Sequence, residues 1–144
     1  IFILHSDSVL EIDWSKNIKK YFNREAGYYC RLSFDIKHPL ALLTSTWANF
    51  RSKIFKLPYG DQGLLLHKSL FWRIGGYRYY PLMEDVDIVH RLGRRRLRPL
   101  DGQAITSAAR YCANGYWRRP AQNLCCLGLY YLGISPETIR RIYE

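Results

Sequence analysis

The chain of 144 residues is 48% hydrophobic and 15% aromatic, and its formal net charge is +10. An apolar content this high excludes an intrinsically disordered chain, and the length fits one domain with its own core. The charge indicates an anionic partner: nucleotide phosphates, a nucleic acid or an acidic membrane surface. The first residue is Ile1 and the only methionine is Met83, so we expect a fragment, a processed chain or a partial gene product.

The four cysteines show no Cys-x-x-Cys pair and no spacing with histidine that is typical of a metal site. They are Cys30, Cys112, Cys125 and Cys126. We interpret them as small buried hydrophobic residues in a reducing compartment, and we expect a cytoplasmic protein. The longest apolar run, residues 124–134, is shorter than the roughly 20 residues that span a bilayer.

The chain opens with a short apolar run over residues 1–4, which is typical of a buried parallel strand. The run ends in His5, Ser6, Asp7 and Ser8. Ligands of open α/β sheets collect at the carboxyl ends of strands, so Asp7 lies where a binding site is expected. An Asx turn that simply ends the strand explains the same residues.

Three elements follow this strand. Asp13 or Ser15 is predicted to cap a helix whose lysines lie on a solvated face. Alternating apolar residues then predict a half-buried strand over residues 27–36. Pro39 begins a longer helix, whose large apolar residues recur at helical spacing and are expected to face inward. These residues are Leu40, Leu43, Trp47, Phe50 and Ile54.

A polar turn, Gly60-Asp61-Gln62-Gly63, leads into the apolar run 64–66. Such a turn before a strand needs no functional explanation. Residues 68–74 are predicted to form a short helix. Gly75 and Gly76 are predicted to form its C-terminal cap and a tight turn.

The stretch around Glu84 and Asp85 holds three acids within four positions, the third being Asp87. It follows a glycine pair and a proline, and it begins a helical pattern of buried positions. Acids in a first turn stabilise the positive end of the helix dipole, which explains them without any chemistry. Two carboxylates behind a glycine-rich loop also favour a catalytic site, so both interpretations stay open.

Five arginines lie within residues 91–98, directly after this helix. They are interpreted as a solvated helix end that complements the dipole, or as a surface that binds acidic lipid headgroups or RNA. A short strand is predicted over residues 103–107 and an apolar helix over 121–132. Ser135 is expected to cap a last helix.

Five blocks of the sequence, in this order, resemble the family-2 glycosyltransferases, and most of all the bacterial radical-SAM/selenodomain-associated transferases. They are HSDS (5–8), YGDQG (59–63), FWRIGGYRYYPLMEDVDIVHRL (71–92), TSAAR (106–110) and LGISPETIRRIY (132–143). The resemblance implies an α/β fold of the GT-A type, a Rossmann-like mixed sheet flanked by helices. It also implies that an N-terminal nucleotide-binding part is missing, so that residues 1–144 form a single domain, the C-terminal two-thirds of the GT-A domain.

The resemblance matches Asp7 to the last acid of a DxD-type motif, which holds Mn²⁺ or Mg²⁺ against the donor diphosphate. A hard cation that bridges two phosphates needs only one or two carboxylates from the protein. Many relatives carry an aspartate at the first motif position, where this chain has His5. His5 is therefore the second candidate metal ligand, with an imidazole in place of a carboxylate.

The activity implied is inverting transfer of a sugar from a nucleotide-diphosphate donor to a hydroxyl acceptor, either retained in these 144 residues or lost in this fragment. Asp85 would be the general base, and Glu84 would orient it or contact the acceptor. For Arg51 the resemblance implies a support or phosphate role, although an ordinary surface arginine explains the residue equally well. Arg110 stands where relatives carry two arginines. The residues expected to contact donor or acceptor are Gly60, Asp61, Gln62, Gly75, Gly76, Arg51 and Arg110.

The alternative function is a basic binding module without catalysis, which docks on nucleic acid or on an acidic membrane through its arginines. Aromatic residues between arginines at 110–119 would suit base stacking. The acids at positions 7, 61, 84 and 85 would repel phosphates unless a metal is bound. We therefore expect no nucleic-acid partner, whereas peripheral contact with an acidic membrane stays open.

Overall fold

The computed structural model describes residues 1–11, 14–108 and 118–143. Its strands are β1 (Phe2–Ile3), β2 (Ser8–Leu10), β3 (Gly27–Phe34), β4 (Leu64–Leu66) and β5 (Leu97–Thr106). Its α-helices are α1 (Pro39–Phe55), α2 (Lys68–Arg73), α3 (Glu84–Leu92), α4 (Arg118–Tyr131) and α5 (Pro136–Tyr143). Short 3-10 helices span Trp14–Tyr21, Gly60–Gln62 and Arg94–Arg96. The predicted mixed α/β class is confirmed.

The five strands form one mixed sheet in the order β1-β4-β3-β5-β2. Strands β3 and β5 run parallel, and the other pairs are antiparallel. The strand predicted over residues 27–36 is confirmed as β3, which occupies the middle of the sheet. Its first half is buried on both faces, since Tyr28 and Cys30 join one core cluster and Tyr29 joins the other.

Strand β1 differs from its prediction as a buried parallel strand. It lies at the edge of the sheet and pairs antiparallel with β4, with Phe2 opposite Leu65 and Ile3 opposite Leu64. Its residues are half-buried, and Ile1 is exposed. A short apolar run signals a strand, but its partner and direction depend on residues about 60 positions away.

Helix α3 covers one face of the sheet. Ile88, Val89 and Leu92 pack with Leu66 and Leu97 from the strands in one core cluster. The buried helical face predicted after Glu84-Asp85 is therefore confirmed. The strand predicted over residues 103–107 begins earlier, as β5 at Leu97, because the arginine run is a 3-10 turn joining α3 to that strand.

Helix α1 shows the opposite orientation to the predicted one. Its buried residues are the small ones, Ala41, Ser45, Ala48 and Ser52, whereas the predicted inward residues Leu43, Trp47, Phe50 and Ile54 are exposed and Leu40 is half-buried. The helix lies close to β3, because the short Asn49 side chain is hydrogen-bonded to the Leu32 amide and carbonyl at 2.8 and 3.0 Å. Large side chains do not fit such a close approach, so only the small face packs inward.

Other predictions have mixed outcomes. The helix expected near position 15 is the 3-10 helix Trp14–Tyr21, and its proposed cap Asp13 lies outside the described residues. Both C-terminal helices are confirmed. Cys30 and Cys126 are buried as predicted, but Cys125 is exposed, and Cys112 lies outside the described residues. Within the described part of the chain, no helix combines the length and hydropathy that crossing a membrane requires.

Candidate functional site

One cleft of about 380 Å³ brings together most of the acids that the sequence singled out. Asp7, Asp61, Glu84 and Asp85 line it with His5, so four of the chain's 12 acidic residues meet there. No lysine or arginine is among the described residues that line the cleft. In a chain of net charge +10, this local excess of negative charge favours a cationic ligand.

The turn that carries His5 and Asp7 is anchored to the end of β5. The Ser8 amide donates to the His5 carbonyl at 3.1 Å, which closes the turn, and the Ser107 amide donates to the Asp7 carbonyl at 3.1 Å. The Ser8 and Thr106 hydroxyls are hydrogen-bonded at 2.6 Å and buried. Backbone hydrogen bonds define this turn, and the Asp7 side chain bonds His5 instead of a following amide in the contacts described. The turn holds the Asp7 side chain at the cleft.

His5, Asp7 and Asp61 form a compact cluster. Each offers one ligand atom, and these atoms lie within 4.8 Å of one another. His5 Nδ1 and Asp7 Oδ1 are hydrogen-bonded at 2.5 Å. Burial raises the pKa of Asp61, and the nearby Asp7 carboxylate acts in the same direction, whereas His5 opposes the shift.

The donor atoms of this cluster suit a divalent cation. Two carboxylates and one imidazole are compatible with Mn²⁺, whereas Mg²⁺ prefers oxygen ligands throughout. Sequence analysis predicts His5 and Asp7 as metal ligands and Asp61 as a residue that contacts donor or acceptor. The structure brings Asp61 into the same cluster, a proximity that the sequence separation of 54 residues does not reveal.

Glu84 and Asp85 occupy the first turn of α3, next to this cluster. Asp85 Oδ1 accepts from the Val86 amide at 2.8 Å, so part of the carboxylate satisfies the start of its own helix. Asp85 Oδ2 accepts from the Gly60 amide at 2.8 Å. Burial raises the pKa of Glu84, and the Asp85 charge acts in the same direction. The pair is thus both a helix start and part of the cleft lining.

Met83, which precedes this pair, adopts a left-handed backbone conformation with φ 67°. It occupies the N-cap position of α3 without a side-chain cap, and it is buried against α4 and α5. A bulky residue in this conformation is strained by about 1–3 kcal/mol and persists only where its surroundings enforce it. Packing of Met83 against α4 and α5 holds this conformation at the start of α3, directly before Glu84 and Asp85.

Gln62 does not occupy the position predicted for it. Its side chain is 1% exposed, and its amide donates to the Cys30 carbonyl and to Asn49. The Ser52 hydroxyl donates to its Oε1. Because β4 pairs only with the start of β3, Gln62 and Asn49 satisfy the open edge of β3 beyond it. Gln62 is therefore a structural residue, and contact with a sugar does not fit its burial.

Arg51 contacts the segment that leads into the turn at Gly60 and does not line the cleft. Its Nε donates to the Leu57 carbonyl at 3.1 Å, and its guanidinium lies 3.8 Å from the centre of the Tyr59 ring. The residue thereby holds the turn that presents Gly60 and Asp61. Arg110 lies outside the described residues.

Gly75 and Gly76 form the predicted tight turn, with φ of 86° and 60°. Neither lines the cleft. The Arg91 guanidinium instead donates to the carbonyls of Ile74 and Gly76. Arg91 is also paired with the buried Asp87. The glycines thus shape the loop before α3, and their predicted contact with donor or acceptor does not fit this position.

Tyr59 and Tyr77 also line the cleft, and sequence analysis assigned no role to either. The Tyr59 hydroxyl is buried and has no hydrogen-bond partner within the described ranges. Burial raises the pKa of Tyr77 to about 12, so its hydroxyl is a neutral donor at physiological pH. Both tyrosines belong to the quoted blocks, and their closeness to Gly60 and Glu84 in sequence was the available signal.

Comparison of the chain with models of protein families, with curated proteins and with solved structures gave no match.

Proposed function

We propose that this chain carries the catalytic site of an inverting glycosyltransferase of the GT-A type, which transfers a sugar from a nucleotide-diphosphate donor to a hydroxyl acceptor. The observation that supports the proposal is the single cleft in which Asp7, Asp61, Glu84 and Asp85 meet without a lysine or arginine among the described lining residues. A surface that binds phosphate through arginines would have the opposite charge. The mixed sheet and the order of the sequence blocks are compatible with the same proposal.

In this proposal Asp7, Asp61 and His5 hold Mn²⁺, with Mg²⁺ as the alternative ion. The ion would neutralise the negative charge that develops on the leaving diphosphate. The anchored turn around Asp7 contributes a fixed geometry, because its backbone is hydrogen-bonded to Ser107. Rigid ligands favour one ion geometry over another.

Asp85 takes the proton from the acceptor hydroxyl as that oxygen attacks the anomeric carbon. The new C–O bond forms as the bond between the anomeric carbon and the phosphate oxygen breaks, and the nucleoside diphosphate leaves from the opposite side. The amide of Gly60 orients the Asp85 carboxylate. Glu84, half-buried beside it, contacts the acceptor or orients the base.

Two measurements test the metal site. Mn²⁺ binding to the chain itself is followed by electron paramagnetic resonance. Mn²⁺-dependent binding of uridine and guanosine diphosphates is followed by calorimetry in a chain joined to the nucleotide-binding part that the resemblance implies. Asp7→Asn and Asp61→Asn should each abolish both signals, whereas His5→Ala should weaken them, since its imidazole is the softest ligand. The exposed Asp101→Asn is the matched control and should change neither. Unaltered Mn²⁺ binding in Asp7→Asn would contradict the proposal.

A further inference from the structure

Helix α1 exposes a continuous apolar stripe, formed by Leu43, Trp47, Phe50 and Ile54. These side chains are 50–56% exposed, and the spacing of four, three and four residues aligns them along one helix face. The rings of Trp47 and Phe50 are stacked, with centroids 5.9 Å apart. The stripe lies opposite the small buried face, so the structured chain leaves it in contact with water. A patch of this kind marks an interaction surface.

Cationic groups border the stripe. Residues 39–56 contain Arg51, Lys53 and Lys56 and no acid. Lys56 ends α1, and it lines a second hollow of about 340 Å³ with His90, Arg94 and Tyr131.

The apolar surface continues past this hollow. Tyr131 is 47% exposed and the next residue, Leu132, is 80% exposed. The described residues of this hollow include no acid. The surface therefore combines aromatic side chains with positive charge.

A second copy of the chain is a poor match for this surface. A twofold contact would place this patch against itself, and residues 39–56 and the hollow contribute Lys53, Lys56 and Arg94 but no acid to it. The interface would therefore contain cations from both copies, and these like charges repel. The occupant must supply negative charge and an apolar environment at once.

We propose that this surface docks on an anionic lipid bilayer. Aromatic and aliphatic side chains of an amphipathic helix enter the boundary between headgroups and acyl chains, where tryptophan is enriched. Lys53, Lys56 and Arg94 then face the layer of lipid phosphates, and the hollow beside Tyr131 accepts a headgroup. Attachment of this kind requires no membrane-spanning helix.

Flotation with vesicles tests the proposal, because vesicle-bound chain floats whereas aggregated chain sinks. The probes are vesicles of pure phosphatidylcholine and an equimolar mixture with phosphatidylglycerol. We expect binding to the anionic vesicles only, lost at high salt, with a blue shift of tryptophan fluorescence. The double variant Trp47→Ser/Phe50→Ser should lose binding, and Lys53→Gln/Lys56→Gln should weaken it by about 25-fold, since each cation near the surface contributes roughly fivefold.

Matched controls separate this surface from general stickiness. Trp72→Ser removes another tryptophan that is 63% exposed, and Lys19→Gln/Lys20→Gln removes two exposed lysines of a different helix. Both controls should bind as the parent chain does, and circular dichroism melts should show that every variant is folded. Absent binding to anionic vesicles, or equal binding by the stripe variant, overturns the proposal. A dimer that the stripe variant dissociates, without vesicle binding, overturns it in favour of self-association.

Discussion

The carboxylate of Asp85 accepts a hydrogen bond from the amide of Gly60 at 2.8 Å. This bond connects the first turn of α3 to the turn that carries Asp61, and so links the proposed base to the proposed metal ligands. A Cβ at position 60 would lie 3.3 Å from Asp85 Oδ2 and 3.6 Å from His5 Cδ2. Glycine therefore allows the two groups of side chains to approach across the backbone of the turn.

Gly60→Ala should lower the transfer rate strongly and the free energy of unfolding only slightly. The added methyl group presses on the Asp85 carboxylate and displaces it by a few tenths of an ångström, and proton transfer depends steeply on position. Steady-state transfer assays with a sugar-nucleotide donor, together with urea denaturation, measure the two effects. Gly128→Ala is the control, since its Cβ meets nothing within 4 Å and alanine stabilises a helix by about 1 kcal/mol. Equal rates in both variants would contradict the role given to Gly60.

Asp85→Asn should reduce the transfer rate by roughly 10²–10⁴-fold, because the amide cannot take the proton. It keeps the shape of the side chain but can accept only one of the two backbone hydrogen bonds, from Gly60 and Val86. Donor binding should survive, since the diphosphate is held elsewhere. Rates and nucleotide affinities of the variant are compared with those of Asp101→Asn, an exposed aspartate of β5. A transfer rate near that of the parent would mean that Asp85 only stabilises the N-terminus of α3.

Asp87 is not a suitable control for that experiment, since it is 3% exposed and paired with Arg91 at 2.6 Å. Asp87→Asn should instead lower the free energy of unfolding by about 3 kcal/mol, because it leaves a largely buried guanidinium without its charge partner. Urea denaturation measures this change. The exposed pair of Glu25 with Arg73 offers the comparison, and Glu25→Gln should change stability little. Equal effects in the two variants would contradict the structural role of Asp87.

The stability of the parent chain relative to Glu84→Gln should depend on pH. Burial raises the pKa of Glu84 above its ordinary value of 4.5, so the folded state holds this proton more tightly than the unfolded state. The contribution is complete below pH 4.5 and is lost as pH rises through the raised pKa. The free energy of unfolding of the variant should therefore rise relative to that of the parent over this pH interval. Denaturant titrations at several pH values measure the difference. If the difference in free energy of unfolding stayed constant with pH, the Glu84 carboxyl would be solvated in the folded state.

Local sequence determined the features that depend on a few neighbouring residues. The positive φ values at Gly75 and Gly76, the turn after β1 and the first-turn position of Glu84 and Asp85 follow from turn chemistry and helical spacing. Strand β3 follows from alternation, although burial on both of its faces comes from its central position.

Tertiary structure decided which face of each element is covered. In α1 the spacing defines two opposite stripes, and the small one faces the sheet because Ser52 and Asn49 are hydrogen-bonded to β3 at close range. In the turn at 60–62, Asp61 joins the metal cluster while Gln62 fills the open edge of β3. Sequence periodicity identifies both stripes of a helix but not which of them is buried. That choice depends on contacts with elements remote in the chain, because packing and hydrogen bonding act only at short range.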